Sequence, residues 1–213
     1  MEASPKLEYR FVSHGMTDKG NVRDHNEDAF LDAASEGLWV VADGAGGHDR
    51  GEVASAMIVQ ELAQIKRQAF LGEMVALVDN CLQNVNTRLI TMRSQPGSRG
   101  IIGSTVCVLL IHERHCVCAW AGDSRIYLWR HGVLQCLTRD HNRMDEFRRA
   151  GFSEEDVLKY PVARQLVRAV GVVSPLPLET QVQECCAGDV FLLCSDGLSG
   201  ELQDAEISAL LQA

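Results

Sequence analysis

Polar and apolar positions divide this chain into segments of distinct period. Leu38 to Ala42 (LWVVA) is an unbroken apolar run between turn-forming residues, the pattern of a buried strand. From Glu52 to Gln68 the spacing lengthens, and Val53, Met57, Ile58, Leu62 and Ile65 fall on one face of a helix. Met74 to Met92 repeats the pattern with Val75, Val78, Cys81, Leu82, Val85 and Leu89, so two long amphipathic helices are predicted in succession. The segment SQPGSRG, Ser94 to Gly100, breaks the second. The texture then turns to short strands over Ser104–Ile111, His115–Ala121, Arg125–Arg130 and Val133–Thr138. Turns at Glu113-Arg114, Gly122-Asp123 and His131-Gly132 predict that these four form an antiparallel meander. Leu7–His14 reads as a further short strand and Val190–Cys194 as another buried one, while Asp140–Pro161 is polar and helix-prone. Asp204 suits the N-cap of a last helix running to Leu211. The order predicts an α+β fold, with helices packed on antiparallel sheet.

Composition narrows the picture modestly. The chain has 213 residues, with no internal repeat or linker-like tract, so residues 1–213 are expected to form one domain. The net charge of -9 argues against a nucleic-acid partner, which calls for a basic face. A phosphorylated substrate stays compatible with that charge if a bound divalent metal supplies local positive potential. Met1–Phe11 lacks the apolar core of a signal peptide, and no apolar stretch is as long as a membrane span. The expected location is the cytoplasm, with no membrane partner. Eight cysteines are present but no C-x-x-C pair, which favours reduced core thiols over a zinc site. No cysteine has an arginine six positions later, so the phosphate loop of cysteine-dependent phosphatases is absent.

Carboxylates recur where apolar strands end. Leu38–Ala42 leads into Asp43-Gly44, Val190–Ser195 into Asp196-Gly197, and Cys116–Ala121 into Gly122-Asp123. RDHNED, Arg23 to Asp28, places Glu27 and Asp28 before another apolar step. A single Asp-Gly is most simply a hairpin turn. Here Asp43-Gly44 precedes a glycine-rich loop and a helix, and Asp196-Gly197 precedes LSGELQ and a helix. Aspartates at the ends of adjacent buried strands are expected to meet at one rim of a sheet. Clustered carboxylates raise one another's pKa unless a cation intervenes, and an all-oxygen set selects Mg²⁺ or Mn²⁺. Two such ions can activate a water and clamp a phosphate. Gly44 has no side chain to keep its backbone carbonyl from a metal. The residues taken alone suggest a metal-dependent hydrolase and name no substrate.

The ordered motifs resemble those of the PP2C family of metal-dependent protein serine/threonine phosphatases, in bacterial form. They are GNVRDHNEDA (Gly20–Ala29), VADGAGGHDRGEVAS (Val41–Ser55), GSTVCVLLI (Gly103–Ile111), WAGDSRIYLWRHG (Trp120–Gly132), LTRDH (Leu137–His141), LVRAVG (Leu166–Gly171) and GDVFLLCSDGL (Gly188–Leu198). The resemblance implies an α-β-β-α sandwich of two antiparallel sheets flanked by helices. It implies that Asp43 bridges two Mn²⁺ or Mg²⁺ ions, that the Gly44 carbonyl binds one of them, and that Asp196 binds the other. Glu27 and Asp28 are implied to hold metal-bound waters, and Arg23 the substrate phosphate by a bidentate fork. Asp123 matches the residue linked to a third, weaker metal; the alternative reading is a β-turn cap. The segment 140–165 matches the flap beside the site. The implied reaction is in-line attack by the bridging water on a phosphoserine or phosphothreonine, without a phosphoenzyme. The implied partners are a phosphorylated protein and a cognate Ser/Thr kinase.

Two departures accompany the resemblance. The histidine that follows Asp-Gly in eukaryotic members is replaced by Ala45, so His48 is read as a loop residue and no protein group is assigned as general acid. No Asp-Asn motif and strand follow the last predicted helix before Ala213. That motif supplies a metal ligand in the family, so the expectation is a weaker ion at Asp196. The alternative is a non-catalytic binding or regulatory protein on the same fold.

Overall fold

The structure is a computed structural model and describes residues 9–21, 23–45, 50–95, 101–153 and 165–212. Two antiparallel sheets carry nearly all the strands' apolar residues. The larger has the order β1-β2-β4-β5-β8, with β3 paired to the end of β2. Its strands are β1 (Asp28–Ala33), β2 (Leu38–Ala45), β3 (Gly103–Ser104), β4 (Val106–His112), β5 (His115–Ala121) and β8 (Glu179–Glu184). The smaller has the order β7-β6-β9, from β6 (Arg125–Arg130), β7 (Val133–Cys136) and β9 (Val190–Cys194). Helices α1 (Arg50–Leu62) and α2 (Leu71–Arg93) cover the outer face of the larger sheet. Beyond a short α3 (Arg143–Arg149), α4 (Asp196–Ser199) and α5 (Asp204–Gln212) contribute apolar side chains to the outer face of the smaller sheet.

Side-chain alternation accounts for this layering. On β4, Val106, Val108 and Leu110 face the helices, while Cys107, Leu109 and Ile111 face the second sheet. On β5, Val117, Ala119 and Ala121 face the helices, and Cys116, Cys118 and Trp120 the second sheet. A strand covered on both faces has no polar side to show, which is why these segments read as continuous apolar runs. In the smaller sheet Ile126 and Leu128 point to the inter-sheet core, and Tyr127 points outward to Ile207 of α5. The result is an α-β-β-α sandwich with three apolar layers, as the resemblance implied.

Several expectations require correction. Described residues 9–14 do not form a strand. They are extended chain anchored by Tyr9, whose hydroxyl donates to the Cys185 carbonyl (3.0 Å), and by Phe11, edge-on to Trp39. The four-strand meander divides at Gly122-Asp123: β4 and β5 pair in one sheet, β6 and β7 in the other. The first helix stops at Leu62 and buries Gly51, Ala54, Ser55, Ile58 and Leu62, leaving Val53 exposed. Small residues set that face because α1 lies close against β1 and β2. Strands β1 and β8 were not foreseen.

The buried faces are open to a direct test. Leu82→Ala, in α2 at 0% exposure, should cost about 2–5 kcal/mol in urea unfolding. Val53→Ala, at 42% exposure, should change stability by less than about 0.5 kcal/mol.

Candidate active site

Asp43 lies inside β2, two residues before its end, and not in a loop after it. The register sets it opposite Asp28, the first residue of β1. Its backbone is held from β3–β4: its N–H donates to Thr105 Oγ1 (3.0 Å), and its carbonyl accepts from the Thr105 N–H (2.8 Å) and the Ser104 hydroxyl (2.9 Å). Thr105 Oγ1 also shares a hydrogen bond with Ser124 Oγ (2.7 Å). Both residues are buried, so the strand bearing Asp43 is tied through Thr105 to the crossover bearing Asp123. Gly122 fits that crossover for two reasons: its φ is +121°, and a Cβ there would lie 2.6 Å from the Thr105 side chain.

Asp28 reaches the second sheet. Its N–H donates to Asn26 Oδ1 (3.0 Å), an Asx turn that starts β1, and its carboxylate accepts from Ser195 Oγ (2.7 Å). Ser195 follows β9 and precedes Asp196, the first residue of α4. One hydrogen bond therefore joins the start of β1 to the end of β9. The aspartates meet where the two sheets meet, a correction to the expectation of a single sheet's rim.

Glu27 and Gly44 sit against the first turn of α1. The Glu27 carbonyl accepts from the Gly44 N–H (3.1 Å) and from Ser55 Oγ (2.6 Å). A Cβ on Gly44 would lie 2.2 Å from the Gly51 carbonyl oxygen, and one on Gly51 would lie 2.4 Å from Glu27 Oε1. The glycine after Asp43 thus admits the helix as well as freeing a carbonyl. Arg23 stands exposed ahead of β1 and makes no hydrogen bond or ion pair with the described residues. His48 and residues 154–164 of the flap segment lie outside the described residues. The chain's Asp-Asn dipeptide, Asp79-Asn80, is exposed in the middle of α2 and is not a terminal motif.

The electrostatics of this convergence are unfavourable without a cation. Burial, followed by the charges of Asp28, Asp196 and Asp123, pushes the Asp43 carboxyl up to about 9. Burial and then Asp196 raise Asp28, although its Ser195 hydrogen bond opposes the shift. Burial, Asp196 and Asp140 push Asp123 up to about 6. Oxygen-only donors under mutual repulsion suit hard divalent cations, which relieve the repulsion by binding. Among the described residues no three His, Cys, Asp or Glu side chains make a self-contained ligand set. The coordination that the resemblance implies would not need one: Asp43 would be shared, a backbone carbonyl would contribute, and water would complete the shells, as Mg²⁺ commonly requires. The donor set therefore fits the ions the motifs implied.

Sequence reasoning missed the residues that hold these carboxylates in place: Thr105, Ser124, Ser195 and Asn142. Asn142 hydrogen-bonds the Asp123 side chain. Arg125 neutralises Asp140 through a bidentate pair (2.9 and 2.8 Å). The available signal was polar residues at the mouths of apolar strands, beside the aspartates themselves.

The fold is shared with known proteins. The family model for protein phosphatase 2C matches residues 21–212. A serine/threonine phosphatase, Stp, of Listeria innocua is 34% identical over 205 residues, which cover 92% of this chain and 81% of that one. The structure of PppA, described as a key regulatory component of the T6SS in Pseudomonas aeruginosa, superposes with a TM-score of 0.86 at 38% identity, over 93% of this chain and 82% of that one. The catalytic domain of the phosphatase PstP, in complex with two manganese ions, superposes with a TM-score of 0.80 at 30% identity, over 93% and 83% of the two chains.

The Asp43 shift predicts a pH dependence for the metal-free protein. A carboxyl whose folded pKa is about 9, against an ordinary 3.8, binds its proton more tightly folded than unfolded. Its contribution to stability is complete below the ordinary value and is lost as pH rises toward the folded one. Thermal unfolding in chelator should therefore show a midpoint that falls across this window, and Asp43→Asn should flatten the fall.

Proposed function

The chain belongs to the protein phosphatase 2C family, whose curated relatives are serine/threonine phosphatases, and on that premise we propose that it hydrolyses phosphoserine and phosphothreonine in proteins at a dinuclear Mn²⁺ or Mg²⁺ centre. The observation that carries this reading is the convergence of Asp28, Asp43, Asp123 and Asp196, which with burial, the larger cause, pushes the Asp43 carboxyl up to about 9.

The roles are those the family resemblance implies, and the placement of the residues supports them. Asp43, the most strongly perturbed of these carboxyls, would be the shared ligand. The Gly44 carbonyl would hold one metal and Asp196 the other. Asp28, tethered to Ser195, and Glu27, packed at the first turn of α1, would orient metal-bound waters. Asp123 would serve a third, weaker metal position. When bound, the ions supply an activated water and neutralise charge on the phosphoryl oxygens. Arg23, exposed and without a partner among the described residues, binds the substrate phosphate with its planar fork. The physiological substrates are phosphorylated proteins, and the enzyme opposes a Ser/Thr kinase.

Hydrolysis of a phosphothreonine peptide with and without Mn²⁺ tests the reading. Mn²⁺-dependent turnover should fall by about a thousandfold or more in Asp43→Asn. Arg23→Ala should raise KM more than it lowers kcat. Absence of metal-dependent turnover from folded protein would overturn the proposal in favour of a non-catalytic binding role.

A further inference from the structure

The crossover that carries Asp123 is gripped on its second side by a histidine to which no role has been assigned above. His141 is buried, at 6% exposure, and lies flat against Trp120, with ring centroids 6.0 Å apart and planes inclined by 11°. The Gly122 N–H donates to His141 Nδ1 (3.2 Å), and the His141 N–H donates back to the Gly122 carbonyl (2.9 Å). On the far side of the ring, Nε2 meets Glu179 Oε2 of β8 at 2.5 Å. Arg168 Nη1 stands 3.6 Å from the same carboxylate oxygen and 3.5 Å from Nε2 itself, too long to displace the 2.5 Å contact with Glu179.

These contacts determine the tautomer. A backbone N–H can only donate, so Nδ1 must be the unprotonated nitrogen. Nε2 therefore carries the hydrogen and donates it to Glu179, the carboxylate–histidine arrangement that fixes a ring's orientation. The imidazolium form would set two donors against each other at Nδ1, so the ring is held neutral.

The chain passes from His141 straight to Asn142, which hydrogen-bonds the Asp123 side chain. Resting on the dinuclear-centre reading above, we propose that His141 is a positioning residue: its Nδ1 holds the Gly122 amide, and with Asn142 it fixes the Asp123 carboxylate for its metal, using Glu179 as the brace. Thr105 and Ser124 secure the other side of the same crossover. Loss of the imidazole leaves the Gly122 amide without its acceptor.

The test compares His141→Asn, whose Oδ1 can accept from the Gly122 N–H, with His141→Phe, which keeps an aromatic ring on Trp120 but accepts nothing. Mn²⁺ binding to the metal-free proteins is measured by calorimetry, beside Mn²⁺-dependent peptide hydrolysis. His141→Phe should weaken the lowest-affinity Mn²⁺ step by about tenfold to a hundredfold and lower kcat more than it raises KM. His141→Asn should recover most of both. The parent's His141 ring nitrogens, read by ¹⁵N NMR, should show an unprotonated Nδ1 and a protonated Nε2. Unchanged Mn²⁺ binding in His141→Phe, an Asn variant as impaired as the Phe variant, or a protonated Nδ1 would each overturn the proposal. If His141→Phe does not fold, the Asn variant and the NMR assignment decide it. A parent without Mn²⁺-dependent turnover would instead contradict the phosphatase reading, and the binding and NMR results would still judge the role of His141.

Discussion

Mutual repulsion among carboxylates is the constraint around which this molecule is arranged. Asp28, Asp43, Asp123 and Asp196 act on one another strongly enough that burial and neighbouring charge lift Asp43 to about 9. A fold selected for stability alone would separate them. Here the backbone forces them together: Asp28 and Asp43 by strand register, Asp196 by the end of β9, and Asp123 by the crossover between sheets. Such stored repulsion is a common feature of sites that bind cations.

Holding that arrangement requires rigid joints where the two sheets meet. Ser195 to Asp28 is one, and Asp43 through Thr105 to Ser124 is a second. The His141 contacts to Gly122 are a third. Each joins different segments of the chain by hydrogen bonds, and each ends on or beside a carboxylate. The apolar layers behind them, from Leu38 and Val108 to Leu82 on one side and from Trp120 to Ile126 on the other, stiffen the strands that present the site. Packing thus supplies the rigidity, and the polar joints place the charges.

The layers were legible where one residue class repeats at one period. The stripe on α2 gave its buried face because Val78, Leu82, Val85 and Leu89 are large and regularly spaced. The face of α1 was legible at Ile58 and Leu62 but not at Gly51, Ala54 and Ser55, which carry little hydrophobic signal. β8 was invisible because ETQVQE turns Val182 to solvent and its polar side chains partly inward. The switch of sheets at Gly122-Asp123 left no local mark, since a turn residue does not report which sheet the next strand joins. Asp43, Asp123 and Asp196 announced themselves beside glycines at strand ends. His141 lies 19 residues from Gly122, in a polar stretch, and only the folded chain brings the two together.

If this cluster is a cation site that shares Asp43, the carboxyl that burial and its neighbours' charges push up to about 9 must release its proton for the metal to bind. Calorimetric titration of Mn²⁺ into the metal-free protein at pH 7, repeated in buffers of different ionisation enthalpy, measures the release directly. About one proton should be released on binding by the parent protein, with both the release and the tight binding lost in Asp43→Asn. Mn²⁺ binding without proton release, or equal binding by the variant, would contradict that role for Asp43.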